Sequence, residues 1–430
     1  MSSVGIVGAG YVGLTTAACL AHLGHSVVCA DIDADRVERL SKGDIPILEE
    51  GLPDLVAAGL RSGLLTFEVG AVAAARRAEF VFLCVPTPHG DEGAADLTVV
   101  DDVTREIAPV LRAGAVVVNK STMPVGSTRR VERSLRQAGA PADVRVVSNP
   151  EFLREGTAVA DFLHPHRIVV GADEPAVAVR VFELYKGVQA PVVVTDAASA
   201  EVIKYASNAF LATKVSFINA IANLCESVSA DVRSVALGMG YDTRIGFEFL
   251  QPGPGWGGSC FPKDTAALLH ASREAGYDFS LLRGVVEVNE AQHDRMVAKV
   301  KEVHGAPLAG ARIAGWGLTF KANTDDLRDS PAVAIADRLI AEGADVRAYD
   351  PSASDATQDR LPTLQVVADP YEVCREADVL VVMTEWDEFR WLDFDRVAAE
   401  MTSPTIVDTR NLLDPAAMRR RGFSYVGVGR

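Results

Sequence analysis

Gly255-Trp256-Gly257-Gly258-Ser259-Cys260-Phe261-Pro262-Lys263-Asp264 sets one cysteine in the densest small-residue run of the chain. Glycines let backbone N–H groups and a ligand approach a thiol that bulky neighbours would cover. A nucleophilic cysteine also needs a stabilised thiolate, and Lys263 offers a local cation. A turn with an incidental cysteine is the competing reading of this loop alone. Lys204 and Asn208 form a second set, four residues apart and so on one helix face. Together they could polarise an oxyanion as a hydride leaves. Taken alone, a solvated helix face is the better reading of that pair. Glu151 and Glu155, also four apart, form a third set in Asn149-Pro150-Glu151-Phe152-Leu153-Arg154-Glu155-Gly156. Projecting together, they could supply a general base for water. Without more context, exposed charges on a short helix are the favoured reading.

A cofactor turn is better defined. Gly8-Ala9-Gly10-Tyr11-Val12-Gly13 follows a strand-like run and opens a helical one from Leu14 to Leu23. Gly8 permits the tight turn, Gly10 lets the backbone approach a pyrophosphate, and Gly13 lets the helix pack on the sheet. Asp31, ending the next strand, stands where an acidic residue bonds the adenosine ribose and repels a 2′-phosphate. NAD is therefore expected over NADP, an inference that Arg36 weakens slightly. Asp31-Ile32-Asp33-Ala34-Asp35 also mimics the start of a calcium loop. Arg36 and Lys42 stand where that loop needs Gly and Glu, so no metal is expected there.

These residues need a scaffold. Val4–Val7, Ser26–Asp31, Phe80–Val85, Val116–Asn119 and Val144–Ser148 are β-rich runs separated by helical ones, which predicts a parallel sheet covered on both faces. From Ser199, a capping candidate, Ile203, Ala206, Phe210, Phe217, Ile218, Ile221 and Leu224 recur at helical spacing. One long amphipathic helix is predicted, either a dimer spine or a core helix of one subunit. After a linker at 304–310, alternation resumes with a weak repeat: Val4–Gly10 resembles Ala311–Gly317, and His25–Asp31 resembles Ala344–Asp350. Phe320 stands where the third glycine would be, so the second unit should bind something other than a dinucleotide pyrophosphate. The expected fold is α/β, with two Rossmann-like doubly wound domains joined by a long central helix. The boundaries are 1–195 for the NAD-binding domain, 196–300 for the helical middle, where a dimer could form, and 301–430 for the second Rossmann-like domain.

Bulk properties narrow the function. A formal net charge of −16 argues against nucleic acid. No apolar run reaches the roughly 18–20 residues that span a bilayer. No secretory signal pattern opens the chain, so a cytoplasmic protein without membrane partners is expected. The 6 cysteines show no C-x-x-C spacing and read as reduced thiols.

Eight segments in order resemble the UDP-glucose/GDP-mannose dehydrogenase family over essentially the whole chain. They are GAGYVGL at 8–14, CVPTP at 84–88, KSTMPVGST at 120–128, NPEFLREG at 149–156, EVIKYASNAF at 201–210, GWGGSCFPKD at 255–264, GLTFKANTDDLRDSP at 317–331 and DTRN at 408–411. The resemblance implies NAD-dependent, four-electron oxidation of the C6 hydroxyl of a nucleotide sugar. UDP-glucose is the first expectation; GDP-mannose or another UDP-hexose is the alternative. Cys260 would carry a thiohemiacetal and then a thioester, which water hydrolyses to the carboxylate.

By the same resemblance, Lys204 and Asn208 stabilise the oxyanion, Asp264 and Thr122 position water, and Glu151 is the acid/base with Glu155 in support. Gly8, Gly10, Tyr11, Val12, Gly13, Asp31, Arg36, Thr87, Thr122, Glu155, Lys263 and Arg328 would contact NAD. Glu151, Phe152, Leu153, Lys204, Asn208, Phe249, Leu250, Gly257, Cys260, Phe320 and Lys321 would contact the sugar nucleotide. Arg244 would reach it from a neighbouring subunit, implying a homodimer on the long helix. Glu50 and His166 depart from the family's usual Pro and Asp, away from the chemistry. Trp256 replaces its usual Tyr or Phe, which bears on substrate identity. Ser259 and Lys263 argue against an N-acetylmannosamine substrate.

Overall fold

Short runs of β-branched and aromatic residues form the strands, and the central ones are buried at every position, as in β4 (Phe80–Leu83) and β5 (Val116–Asn119). Such strands need helices on both faces. Accordingly, Ile6, Phe82 and Val118 join one apolar cluster, while Val7, Val81 and Val117 join another. The computed structural model describes residues 1–88, 90, 93–353 and 355–430. The chain divides into two compact units, Met1–Ser207 with Ala266–Tyr277, and Asn208–Thr265 with Asp278–Arg430.

The first unit holds one sheet in the order β3-β2-β1-β4-β5-β6-β7-β8. Its other strands are β1 (Ser3–Val7), β2 (Ser26–Asp31), β3 (Leu65–Val69), β6 (Arg145–Ser148), β7 (Ile168–Gly171) and β8 (Val192–Thr195). The sheet is parallel from β3 through β6, as expected, but β6 pairs antiparallel with β7. The last two strands, parallel to each other, run against the rest. Val193 and Val194 of β8 are exposed at that edge.

The second unit holds a sheet in the order β11-β10-β9-β12-β13-β14, parallel at each pairing. Its strands are β9 (Arg312–Trp316), β10 (Asp345–Tyr349), β11 (Gln365–Val366), β12 (Val379–Val382), β13 (Thr405–Asp408) and β14 (Ser424–Val426). The helix Ser280–His304 ends at Gly305, whose φ of 71° makes it a left-handed cap at the expected linker.

The long helix runs Ala197–Val228. Its start corrects the expected cap: Asp196 accepts the Ser199 N–H at 2.9 Å and the Ser199 hydroxyl at 2.6 Å, so Ser199 lies inside the first turn. Its faces also differ from expectation. Glu201, Lys204, Asn208, Ser216 and Asn219 are buried, whereas Phe210, Phe217 and Leu224 are 66%, 50% and 56% exposed. The apolar spacing is real, but part of it faces outward, while Glu201, Lys204, Asn208 and Ser216 find hydrogen-bond partners inside.

Candidate functional site

In the first unit, the glycine turn leaves β1 and the helix Tyr11–His22 begins at once. Gly8 has φ +99°, and a Cβ on Gly13 would lie 1.8 Å from the Gly8 carbonyl oxygen, so helix and turn are in closest contact there. A Cβ on Gly10 would meet nothing within 4 Å, which leaves the space above the helix N-terminus open. A helix N-terminus, whose first N–H groups have no partner within the helix, suits a pyrophosphate there. Asp31 supports the turn by accepting the Ala9 N–H at 2.8 Å, and Arg36 stands 3.5 Å away. Thr87 and Thr122, both buried, meet where the Thr87 hydroxyl donates to the Thr122 carbonyl at 2.9 Å.

Glu151 and Glu155 are not on a helix; the segment after β6 is irregular until Ala158, so their spacing does not align them. Glu151 is 5% exposed and its Oε1 takes a 2.7 Å hydrogen bond from Lys204 Nζ, itself 3% exposed. The Leu153 N–H donates to Oε2 at 2.6 Å. Burial alone would raise this carboxyl. The charge and hydrogen bond of Lys204, the Leu153 N–H and the charge of Lys120 outweigh it and hold Glu151 below its ordinary value. Glu151 is thus a carboxylate at neutral pH. The solvated-face reading of Lys204 and Asn208 is overturned, since both are buried.

Phe152 carries the Arg167 guanidinium over its ring at 3.5 Å and Lys204 Nζ at 5.4 Å. Lys120 Nζ donates to Asn149 Oδ1 and Tyr185 Oη, each at 3.2 Å. Arg167, Lys120 and Tyr185 had no role in the sequence reading. The signal for Lys120 was its place in the KSTMPVGST segment; Arg167 and Tyr185 lie in no segment that stood out. Thr122, Ser148, Pro150, Glu201 and Lys204 line a small cavity in this unit.

In the second unit, Cys260 ends the glycine loop and its carbonyl accepts the Asp264 N–H at 2.8 Å. The cysteine therefore caps the helix Phe261–Glu274, where the helix dipole favours a negatively charged sulfur. Cys260 is partly exposed, and Ser259 Oγ lies 3.5 Å from its sulfur; the other five cysteines are buried. Asp264 is fully buried and accepts from Asn208 Nδ2 at 2.5 Å and Lys263 Nζ at 2.7 Å. A Cβ on Gly257 would fall 1.9 Å from the Asp329 carbonyl oxygen, and one on Gly258 would strike the Phe320 ring. Trp256 is buried, its indole donating to Ser216 Oγ at 2.9 Å, so it anchors the loop to the long helix.

The remaining expected contacts lie in the same unit. Phe249 has a left-handed φ of 63°, a costly conformation for a bulky residue, and Leu250 is buried in the apolar cluster. Arg410 donates to the Phe320 carbonyl at 2.8 Å, Lys321 Nζ sits 5.6 Å from the Phe320 ring, and Arg328 pairs with Asp326 at 2.7 Å. Arg244 is 87% exposed and pairs with Asp242. After β9, Asp350 accepts the N–H groups of Leu318 and Thr319 at 2.7 and 3.1 Å and the Trp386 indole at 3.1 Å.

An open glycine turn on a doubly wound sheet, with a cysteine loop further along the chain, describes a dinucleotide-dependent dehydrogenase. Residues 2–189 match the NAD binding domain of the UDP-glucose/GDP-mannose dehydrogenase family, 198–291 its central domain and 314–415 its UDP binding domain. The chain is 47% identical over 432 residues to a UDP-glucose 6-dehydrogenase of Rhizobium meliloti, covering 99% of each chain. It is 42% identical to one of Pseudomonas aeruginosa, covering 99% of this chain and 97% of that one. A solved UDP-glucose dehydrogenase of Pyrobaculum islandicum superposes with a TM-score of 0.93 at 36% identity, covering 100% of this chain and 98% of the other. The chain belongs to the UDP-glucose/GDP-mannose dehydrogenase family. It is an oxidoreductase whose cofactor is NAD. Among the described residues, no helix is long and apolar enough to cross a membrane.

Proposed function

We propose that the chain oxidises the C6 hydroxyl of UDP-glucose to the carboxylate of UDP-glucuronate. The observation that carries this is the partly exposed Cys260 at a helix N-terminus, four residues before the buried Asp264. The full-length likeness to proteins named UDP-glucose 6-dehydrogenase supports the choice of sugar. Bound NAD would supply the hydride acceptor at each of two visits, so that one alcohol and one water would become a carboxylate, two NADH and three protons. In the first oxidation, C6 loses a hydride and the hydroxyl a proton. Lys204 and Asn208 stabilise the charge that develops on oxygen. The Cys260 sulfur adds to the aldehyde carbon, and the resulting thiohemiacetal has a hydride to lose where a bare aldehyde has no good one. The thioester so formed takes up water. Glu151, held ionised, accepts a proton from that water, with Thr122 and Asp264 positioning it and Glu155 in support. Cys260 leaves as thiolate.

The turn at Gly8, Gly10, Tyr11, Val12 and Gly13 would hold the NAD pyrophosphate, with Asp31 on the ribose. Thr87, Thr122, Glu155, Lys263 and Arg328 would complete that contact. Phe152, Leu153, Phe249, Leu250, Gly257, Phe320 and Lys321 would hold the sugar nucleotide. We infer a homodimer in which the exposed Phe210, Phe217 and Leu224, at seven-residue intervals, meet their counterparts and Arg244 reaches the partner's substrate.

Counting NADH per sugar consumed across a panel of nucleotide sugars tests the substrate and the stoichiometry. Cys260→Ser should abolish carboxylate formation. A Ser variant that still delivers two NADH per sugar at near-normal rate would rule out the covalent route. Lys204→Met should lower kcat about 100- to 1,000-fold, the cost of losing one oxyanion donor.

A further inference from the structure

The segment carrying Glu151 is tied down at both ends by buried and half-buried side chains that take no part in the oxidation or hydrolysis steps above. At its start, Asn149 Oδ1 receives Lys120 Nζ at 3.2 Å and the Tyr185 hydroxyl at 2.6 Å, while Asn149 Nδ2 donates to the Val169 carbonyl at 2.8 Å. At its end, the Gly156 N–H donates to the Tyr11 hydroxyl at 2.7 Å. Tyr11 donates in turn to Glu49, and the other Glu49 oxygen accepts the Val159 N–H at 3.3 Å.

Glu49 is 5% exposed, and among the described residues no Lys, Arg or His forms an ion pair with it. A buried carboxylate without a cation is expensive unless strong donors satisfy it. Here those donors are one phenol and one amide, so the Tyr11 bond carries much of the compensation. Burial and the neighbouring Glu49 both push the Tyr11 phenol well above its ordinary value, so it stays protonated and remains a donor. Tyr11 also opens the helix after Gly10, so its backbone belongs to the dinucleotide turn and its side chain to the Glu151 segment.

We propose that Glu49 is a positioning residue which, through Tyr11, locks the dinucleotide turn to the segment Asn149–Gly156, so that a bound dinucleotide steadies the base for thioester hydrolysis. The kinetic part of this inference rests on the thioester route above. Its structural part does not.

Hydrogen exchange on the whole protein, with and without NAD, tests the structural part. NAD should slow exchange across 152–160 in the unaltered chain. Glu49→Gln and Tyr11→Phe should speed exchange there at least tenfold and remove most of the NAD effect. Exchange that is the same in all three proteins, or indifferent to NAD in the unaltered one, overturns the proposal. Rapid mixing with UDP-glucose and NAD tests the kinetic part. Both variants should release close to two NADH per subunit in a burst and then turn over at least fivefold more slowly, with KM for UDP-glucose within twofold. Loss confined to kcat/KM for NAD, with no burst, would mean that the pair serves cofactor binding alone and would sink the coupling. If the unaltered enzyme reduces no NAD with UDP-glucose, the proposed function fails, while the exchange result still decides the role of Glu49.

Discussion

The two sheets share the strand order of their first six strands, yet their first turns do opposite things. After β1, only residues 8–10 precede the helix, no side chain caps its first turn, and the space beside Gly10 is open. After β9, residues 317–330 intervene before the helix Pro331–Ala341. The amides of Leu318 and Thr319 there are already taken by Asp350. Asp31 and Asp350 hold equivalent places at the ends of their second strands, but Asp31 props the turn from beside it while Asp350 fills it. Fold therefore does not assign the ligand; the inventory of unsatisfied donors does.

The largest test of this contrast is Asp350→Ala. It strands several buried donors at once and should cost about 3–5 kcal/mol of stability by denaturant unfolding. Asp31→Ala should cost about 1 kcal/mol, yet weaken NAD roughly tenfold and relax the preference over NADP. Equal stability losses at the two aspartates would break the comparison. Gly10→Ala comes next. Gly10 has φ −75°, so alanine fits the backbone and stability should stay within about 1 kcal/mol. The added methyl occupies the pyrophosphate space, so a titration should show NAD at least tenfold weaker. Unchanged affinity would place the cofactor elsewhere.

The smallest effect separates two buried carboxylates by pH. Glu151 is held low in the folded state, so its stabilisation is present above the unfolded value and fades as pH falls through the folded one. Asp408 is the reverse case. Burial raises it, despite hydrogen bonds from the Leu413 N–H and the Tyr425 hydroxyl, so the native state gains a proton first and its contribution grows as pH falls. Glu151→Gln should flatten the acid loss of stability, and Asp408→Asn should steepen it. Matching changes in both pH profiles would refute the assignment.

Much of this contrast was legible in the residues. Glycine spacing, the alternation of strands and helices, and the Val4–Gly10 against Ala311–Gly317 repeat lead to two related sheets, and Phe320 in place of a third glycine marks the divergent turn. The reversal of β7 and β8 was not legible, because Ile-Val-Val-Gly and Val-Val-Val-Thr read alike in either direction. The buried polar face of the long helix was hidden for a related reason. Periodicity reports which residues share a face, not whether water or protein covers it. Glu151 was visible in its motif, but its partner Lys204 lies 53 residues away and only folding pairs them.

The long helix has one further consequence. Lys204 and Asn208 are separated by a single helical turn, a Cα spacing of about 6 Å set by the backbone hydrogen-bond ladder. Their interval is therefore a property of the covalent chain, like a gauge block, and does not depend on how loops or sheets settle around it. Inserting or deleting one residue between them would rotate one side chain by about 100° away from the other while leaving the helix intact.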